Sequence, residues 1–282
     1  MGICRLCEKE RELCESHIIP KFIFDWIKKT SATGYLRLAI NINQRLQDGT
    51  KEKILCKDCE LKFSKYENYF AKEFFYPYIN RTKSSFEHDA RLQKFIISVS
   101  WRLLKKDLEG FKDFQPEMFE YAKRAEKYWR EILLEDKTDE KYEHHLFLFD
   151  YISDAPENLP DKFQDYMMRS TDGTLASSSK EVYVFSKFPS IFFVSSIYPT
   201  NIREYWNKTL VLAKGKIGIP QTSAHPGFSD FLFSRVEVMT SQKLTQKQND
   251  KIKDTMLKNL DRVRKSKSFE VWEEEQKRKF NL

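Results

Sequence analysis

Four cysteines and one histidine near the start of the chain are the residues whose types and spacing could do chemistry. Cys4 and Cys7 form one Cys-x-x-Cys knuckle and Cys56 and Cys59 a second, with His17 between them in Ser16-His17-Ile18-Ile19-Pro20. Two such knuckles supply four thiolates, the donor set of a tetrahedral structural zinc. Glu60 directly follows the last cysteine, and Glu60, Ser64 and Glu67 fall at i, i+4 and i+7, on one face of a helix. Such carboxylates suit magnesium or manganese better than a second zinc. A histidine enclosed in a zinc-stapled unit, with a carboxylate after the last thiol, points to metal-assisted hydrolysis of a phosphodiester. Cys14, the fifth cysteine, reads as a small half-buried hydrophobe outside the ligand set.

Positioning these groups requires two strands and a helix. The spacing predicts a strand ending at His17-Ile18-Ile19-Pro20, a helix over Lys21–Lys29, and a strand at Tyr35–Ile40 between turns. A second strand at Lys53–Cys56 then feeds a helix from about Asp58 to Phe75, and Pro77 to Ser85 reads as a linker. Periodic apolar residues predict helices over Ala90–Leu108 and, just after Pro116, over Glu117–Leu134. Short β-branched and aromatic runs at His145–Phe149, Val182–Phe185, Ile191–Val194 and Thr209–Leu212 predict a four- or five-stranded, largely antiparallel sheet. A charged helix over 244–266 closes the chain, with Thr245 and Gln248 at capping-box spacing. The expected class is α+β: a zinc-stapled module (1–85), a helical region (86–140), a β-rich region (141–242), and a charged C-terminal helix and tail (243–282).

Composition bounds the partners. Of the 282 residues 40% are hydrophobic, enough to bury real cores, and 32% are charged. The uncharged stretch from Pro189 to Ile202 is too short and too polar to span a bilayer, so no membrane partner is expected. The N-terminus has no apolar h-region, and all five cysteines lie within the first 59 residues. Metal binding in a reduced cytoplasm fits that distribution better than a disulfide framework. The net charge is +7, with +5 on residues 1–85 and +5 on 243–282. Basic ends around a mildly acidic middle suit a polyanion such as DNA.

Cys-x-x-Cys, a strand ending in His-Ile-Ile-Pro, and Leu-Cys-x-x-Cys leading into a helix together resemble the HNH endonucleases of the ββα-metal class. The likeness is close over Cys4–Pro20 and Leu55–Glu67. Over the whole chain, it resembles bacterial proteins that carry a Ser-His-Ile-Ile-Pro motif. The resemblance implies a structural zinc on Cys4, Cys7, Cys56 and Cys59, and one catalytic magnesium or manganese. It implies His17 as general base, DNA as substrate, and a role in defence against phage or plasmids, alone, as a homodimer or with a partner defence protein. The chain departs from the family pattern at three places. Ser16 stands where an aspartate ligand is usual, and Glu60 where histidine or asparagine is usual. The window a few residues before the second knuckle, where an asparagine is usual, holds Thr50-Lys51-Glu52-Lys53, with Asp48 as the nearest stand-in. The site is complete only if the Glu60–Glu67 face points at His17; otherwise the unit is a non-catalytic zinc module of a nucleic-acid-binding regulator or an adaptor.

Other candidates are weaker. His144 and His145 are neighbours on a strand, so they point to opposite faces and share no metal. His225 reads as a turn residue, and Lys214-Gly215-Lys216 lacks the phosphate-loop pattern. Trp101-Arg102 reads as a core aromatic beside a surface charge.

Overall fold

A computed structural model describes residues 1–38, 41–152, 159–225 and 227–280. Two strands, Leu13–His17 and Lys51–Cys56, pair antiparallel in the register Leu13↔Cys56, Ser16↔Glu52 and His17↔Lys51. The second strand runs straight into the helix Lys57–Phe70, giving a ββα unit. Asp58 and Glu60 lie in that helix's first turn, where carboxylates complement the positive end of the helix dipole. Its buried face is Cys59, Phe63, Tyr66 and Phe70. Beyond Phe70 the chain widens into a π-helical turn, Ala71–Phe75, before the short helix Tyr76–Ile79.

Between the paired strands lie the helix Lys21–Thr30 and a hairpin, Leu36–Leu38 with Asn41–Leu46. The last two residues of the strand expected at Tyr35–Ile40 lie outside the described residues. Pro20 precedes the helix, and Ile23, Phe24, Trp26 and Ile27 form its buried face.

The expected linker Pro77–Ser85 begins inside the helix Tyr76–Ile79 and ends at the first residue of a strand. Ser85–His88 pairs antiparallel with Gly215–Gly218, a contact that local sequence does not signal. Ala90–Phe114 is one long helix, started by Asp89, whose side chain accepts the Arg91 N–H at 2.9 Å. Pro116–Glu135 follows with proline in its first turn.

A four-stranded antiparallel sheet has the order His144–Leu148, Ile191–Tyr198, Val182–Phe188, Asp172–Ser177. Alternation along its strands builds two cores. Val182, Val184, Phe188, Ile191 and Phe193 join the core that runs from Cys4 through the long helix. Phe185, Phe192 and Val194 face a second core with Phe163, Trp206, Phe228 and Leu232. Helices therefore cover both faces, which is why the central strands read as continuous apolar runs. Thr209–Leu212 is not a strand and contributes only an isolated bridge from Leu210 to His145, whereas Asp172–Ser177 is an edge strand.

The C-terminal helix expected over 244–266 is broken into Gln246–Leu257 and Leu260–Arg264, and a further helix, Lys267–Phe280, replaces the expected tail. These segments dock on the insert of the ββα unit. Arg262 donates to the carbonyls of Ser31 at 3.1 Å and Lys28 at 3.0 Å, and Asn43 accepts from the Thr245 N–H at 2.8 Å. The two basic ends of the chain are thus neighbours. Among the described residues no helix is long and apolar enough to cross a membrane.

Candidate functional site

The first knuckle is shaped by backbone bonds. The Cys4 N–H donates to the Lys9 carbonyl at 3.0 Å and the Glu8 N–H to the Cys4 carbonyl at 2.8 Å. Glu8 takes the left-handed conformation (φ 57°) that turns the chain back. Short strands Gly2–Ile3 and Glu10–Arg11 pair across the turn's base. The Arg5 N–H donates to the Ile54 carbonyl at 2.8 Å, which lays the knuckle on the second strand, so Cys56 and Cys59 come up opposite.

All four Sγ atoms lie within 4.8 Å of one another, and Cys7 and Cys56 are 3.9 Å apart. A tetrahedral zinc with bonds of about 2.3 Å separates its sulfurs by about 3.8 Å, so the donor set fits zinc and is far too open for a disulfide. Cys4, Cys56 and Cys59 are buried. Burial pushes the Cys4 thiol up, but N–H groups of Cys7, Cys56 and Leu6 outweigh it and bring it to about 7. Burial, reinforced by the neighbouring sulfurs, drives Cys59 far upward. Zinc would hold all four as thiolates and fasten strand to helix.

His17 ends the first strand. Its Nε2 lies 3.0 Å from Oδ2 of Asp48, with side-chain exposures of 13% and 19%. The two atoms are close, but the oxygen sits off the line of an aligned hydrogen bond. Asp48 also meets Lys51 Nζ at 3.1 Å and accepts the Gly49 N–H at 2.9 Å. Burial would raise its carboxyl, but the Gly49 N–H, His17 and Lys51 prevail and hold it at about 2. A Cβ at Gly49 would overlap the edge of the Phe24 ring, so any larger residue would have to displace that ring. Asp48, the stand-in suggested by its place before the second knuckle, is therefore the residue that faces the histidine.

Ser16 is fully buried, and its Oγ donates to Oε2 of Glu60 at 2.6 Å, so the strand position usual for a metal ligand and the first helical turn do face each other. Glu67, two turns on, lies 2.8 Å from the Arg102 guanidinium. Arg102 is only 1% exposed, which corrects its reading as a surface charge; Trp101 beside it is also in the core. Among the described residues the four thiols are the one group of three or more such donors spaced for a single ion, so His17, Glu60 and Glu67 form no ready-made ion site; Arg102 takes Glu67, and Glu60 stays beside the neighbour of His17. A cavity of about 480 Å³ opens beside the site, lined by Ile18, Gly49 and Thr50 and faced by Arg37, Lys106 and Arg169.

The other histidines are core groups. His144 bonds Ser195 Oγ at 2.8 Å and Asp139 Oδ2 at 3.0 Å, an arrangement with the residue types of a hydrolytic triad. His144 and Ser195 are fully buried, so this is a core hydrogen-bond network and not an open site. His145 points the other way, to Thr209 at 2.9 Å, as neighbours on a strand must. His225 packs on Trp206 and contacts Glu181 at 3.0 Å. Gly215 and Lys216 belong to the strand that pairs with Ser85–His88.

No profile of a known protein family, no curated protein and no solved structure matches the chain.

Proposed function

We propose that this protein is a metal-dependent endonuclease that hydrolyses phosphodiester bonds of DNA, built on a zinc-stapled ββα unit of HNH type. The observation that carries the reading is the contact of His17 with Asp48 at the open end of the strand pair. A neutral imidazole is suited to take a proton from water at neutral pH. The Asp48 carboxylate beside Nε2 would favour a proton on that nitrogen, leaving Nδ1 to act as base, and would steady the imidazolium formed when it accepts the proton.

Glu60, held by Ser16, is the carboxylate that would bind magnesium or manganese; such ions commonly use one or two carboxylates and complete their shell with water and substrate phosphate. When bound, the ion would neutralise phosphoryl charge and stabilise the leaving oxygen. The basic segments joined at the insert would draw in the polyanion. The resemblance to bacterial Ser-His-Ile-Ile-Pro proteins supports a cytoplasmic role in defence against incoming DNA.

The pairing of Glu67 with Arg102 favours a second reading, in which the unit is a zinc module that binds nucleic acid without cutting it. End-labelled duplex DNA separates the two. The first reading expects cleavage with magnesium or manganese that is lost in His17→Ala; duplex bound but intact under every metal would support the second.

A further inference from the structure

The long helix Ala90–Phe114 buries a guanidinium in an otherwise apolar stretch, with Trp101 and Leu103 on either side. Each of its nitrogens has a neighbour. Arg102 Nε donates to the Ser98 carbonyl at 3.1 Å, Nη1 donates to the His17 carbonyl at 2.6 Å, and Nη2 faces Glu67 Oε1 at 2.8 Å. The group lies 5.3 Å from the Phe63 ring centre. A buried ion pair is a poor device for stability alone, since apolar residues of similar volume commonly serve as well. What a guanidinium adds is direction, because its donors form a rigid fork.

That fork grips one peptide group. The His17 carbonyl and the Ile18 N–H belong to the same peptide; Arg102 holds the carbonyl, and the Ile18 N–H donates to the Thr50 carbonyl at 3.2 Å. A peptide held at both ends fixes the backbone of His17 and the direction in which its ring leaves the strand. We infer that Arg102 is a positioning residue for His17, reaching the ββα unit from the central helical region, with Glu67 as its counter-ion. The inference rests on the endonuclease reading for the role of His17, but the geometry it describes can be measured without any cleavage.

Two full-length, zinc-loaded variants test it. Arg102→Lys keeps a charge for Glu67 but cannot span both partners. The double variant Arg102→Met with Glu67→Met removes the pair without stranding a charge, so folding should survive. In both, kcat on duplex DNA should fall by about 10²-fold, as expected for a misplaced catalytic group, while KM and zinc content stay near wild type. In isotope-labelled protein, the His17 ring resonance, identified by its loss in His17→Ala, should shift or broaden in both variants. A folded variant with wild-type kcat and an unmoved His17 resonance would overturn the inference. If the wild type does not cut DNA, the endonuclease reading fails, and the resonance alone decides: movement sustains the positioning contact and no movement overturns it.

Discussion

Replacing Asp48 by asparagine removes the charge facing His17 while keeping an oxygen for the Gly49 N–H. A carboxyl held at about 2 against its ordinary 3.8 contributes about 2.4 kcal/mol at neutral pH. Asp48 is 19% exposed, so solvent screening takes little from that figure. Because asparagine retains the Gly49 bond, the loss should be about 1–2 kcal/mol at pH 7. The folded-state value lies below the unfolded one, so the wild-type advantage is complete above about pH 4 and disappears as the pH falls towards 2. Urea unfolding of both proteins across this range measures the difference. Zinc release on acidification affects the two alike and cancels. A gap that persists at pH 2, or none at pH 7, would refute the assignment of Asp48 as the charged partner of His17 and Lys51. Cleavage by the variant should also drop, by about 10²-fold, through loss of the group that steadies the imidazolium.

Elemental analysis should find one zinc per chain, and Cys59→Ser should lower that content and release the ββα unit first, seen as early loss of amide protection in Leu13–His17 and Lys51–Cys56. Glu60→Gln keeps the shape and the Ser16 contact but removes charge, so the magnesium or manganese concentration for half-maximal cleavage should rise; an unchanged requirement would exclude Glu60 as a ligand. His144→Ala should destabilise by about 3 kcal/mol in chemical denaturation, because it leaves a cavity and takes one hydrogen bond from each of buried Asp139 and Ser195, yet leave the metal requirement for cleavage unaltered.

Much of the site was legible because it is local. Two Cys-x-x-Cys spacings, a strand ending at His17 and a helix beginning at the second knuckle need only short-range rules, and the thiols do converge. The long helices were legible from apolar period and proline, although the first runs on to Phe114. What stayed hidden depends on distant partners. Arg102 lies on an amphipathic helix, where an arginine ordinarily marks the solvent face. It is buried only because Glu67 and the His17 carbonyl, far away in sequence, meet it there. Pro77–Ser85 looked like a linker, and the strand that starts at its last residue, Ser85–His88, stayed hidden because its partner, Gly215–Gly218, lies beyond the whole sheet. Thr209–Leu212 has strand-like residues but makes only a single bridge at the sheet edge, whereas polar Asp172–Ser177 pairs fully with Val182–Lys187. Asp48 could be found from its Asp-Gly turn before the second strand, but its contact with His17 depends on the strand register.

The central claim is that His17 in this zinc-stapled unit is the base of a DNA-cutting site. Supercoiled plasmid incubated with zinc-replete wild type and with His17→Ala of equal zinc content, each with and without magnesium or manganese, tests it most directly. Metal-dependent nicking by the wild type alone is the predicted result. Equal nicking by both proteins, or an intact plasmid with both under every metal, would contradict it.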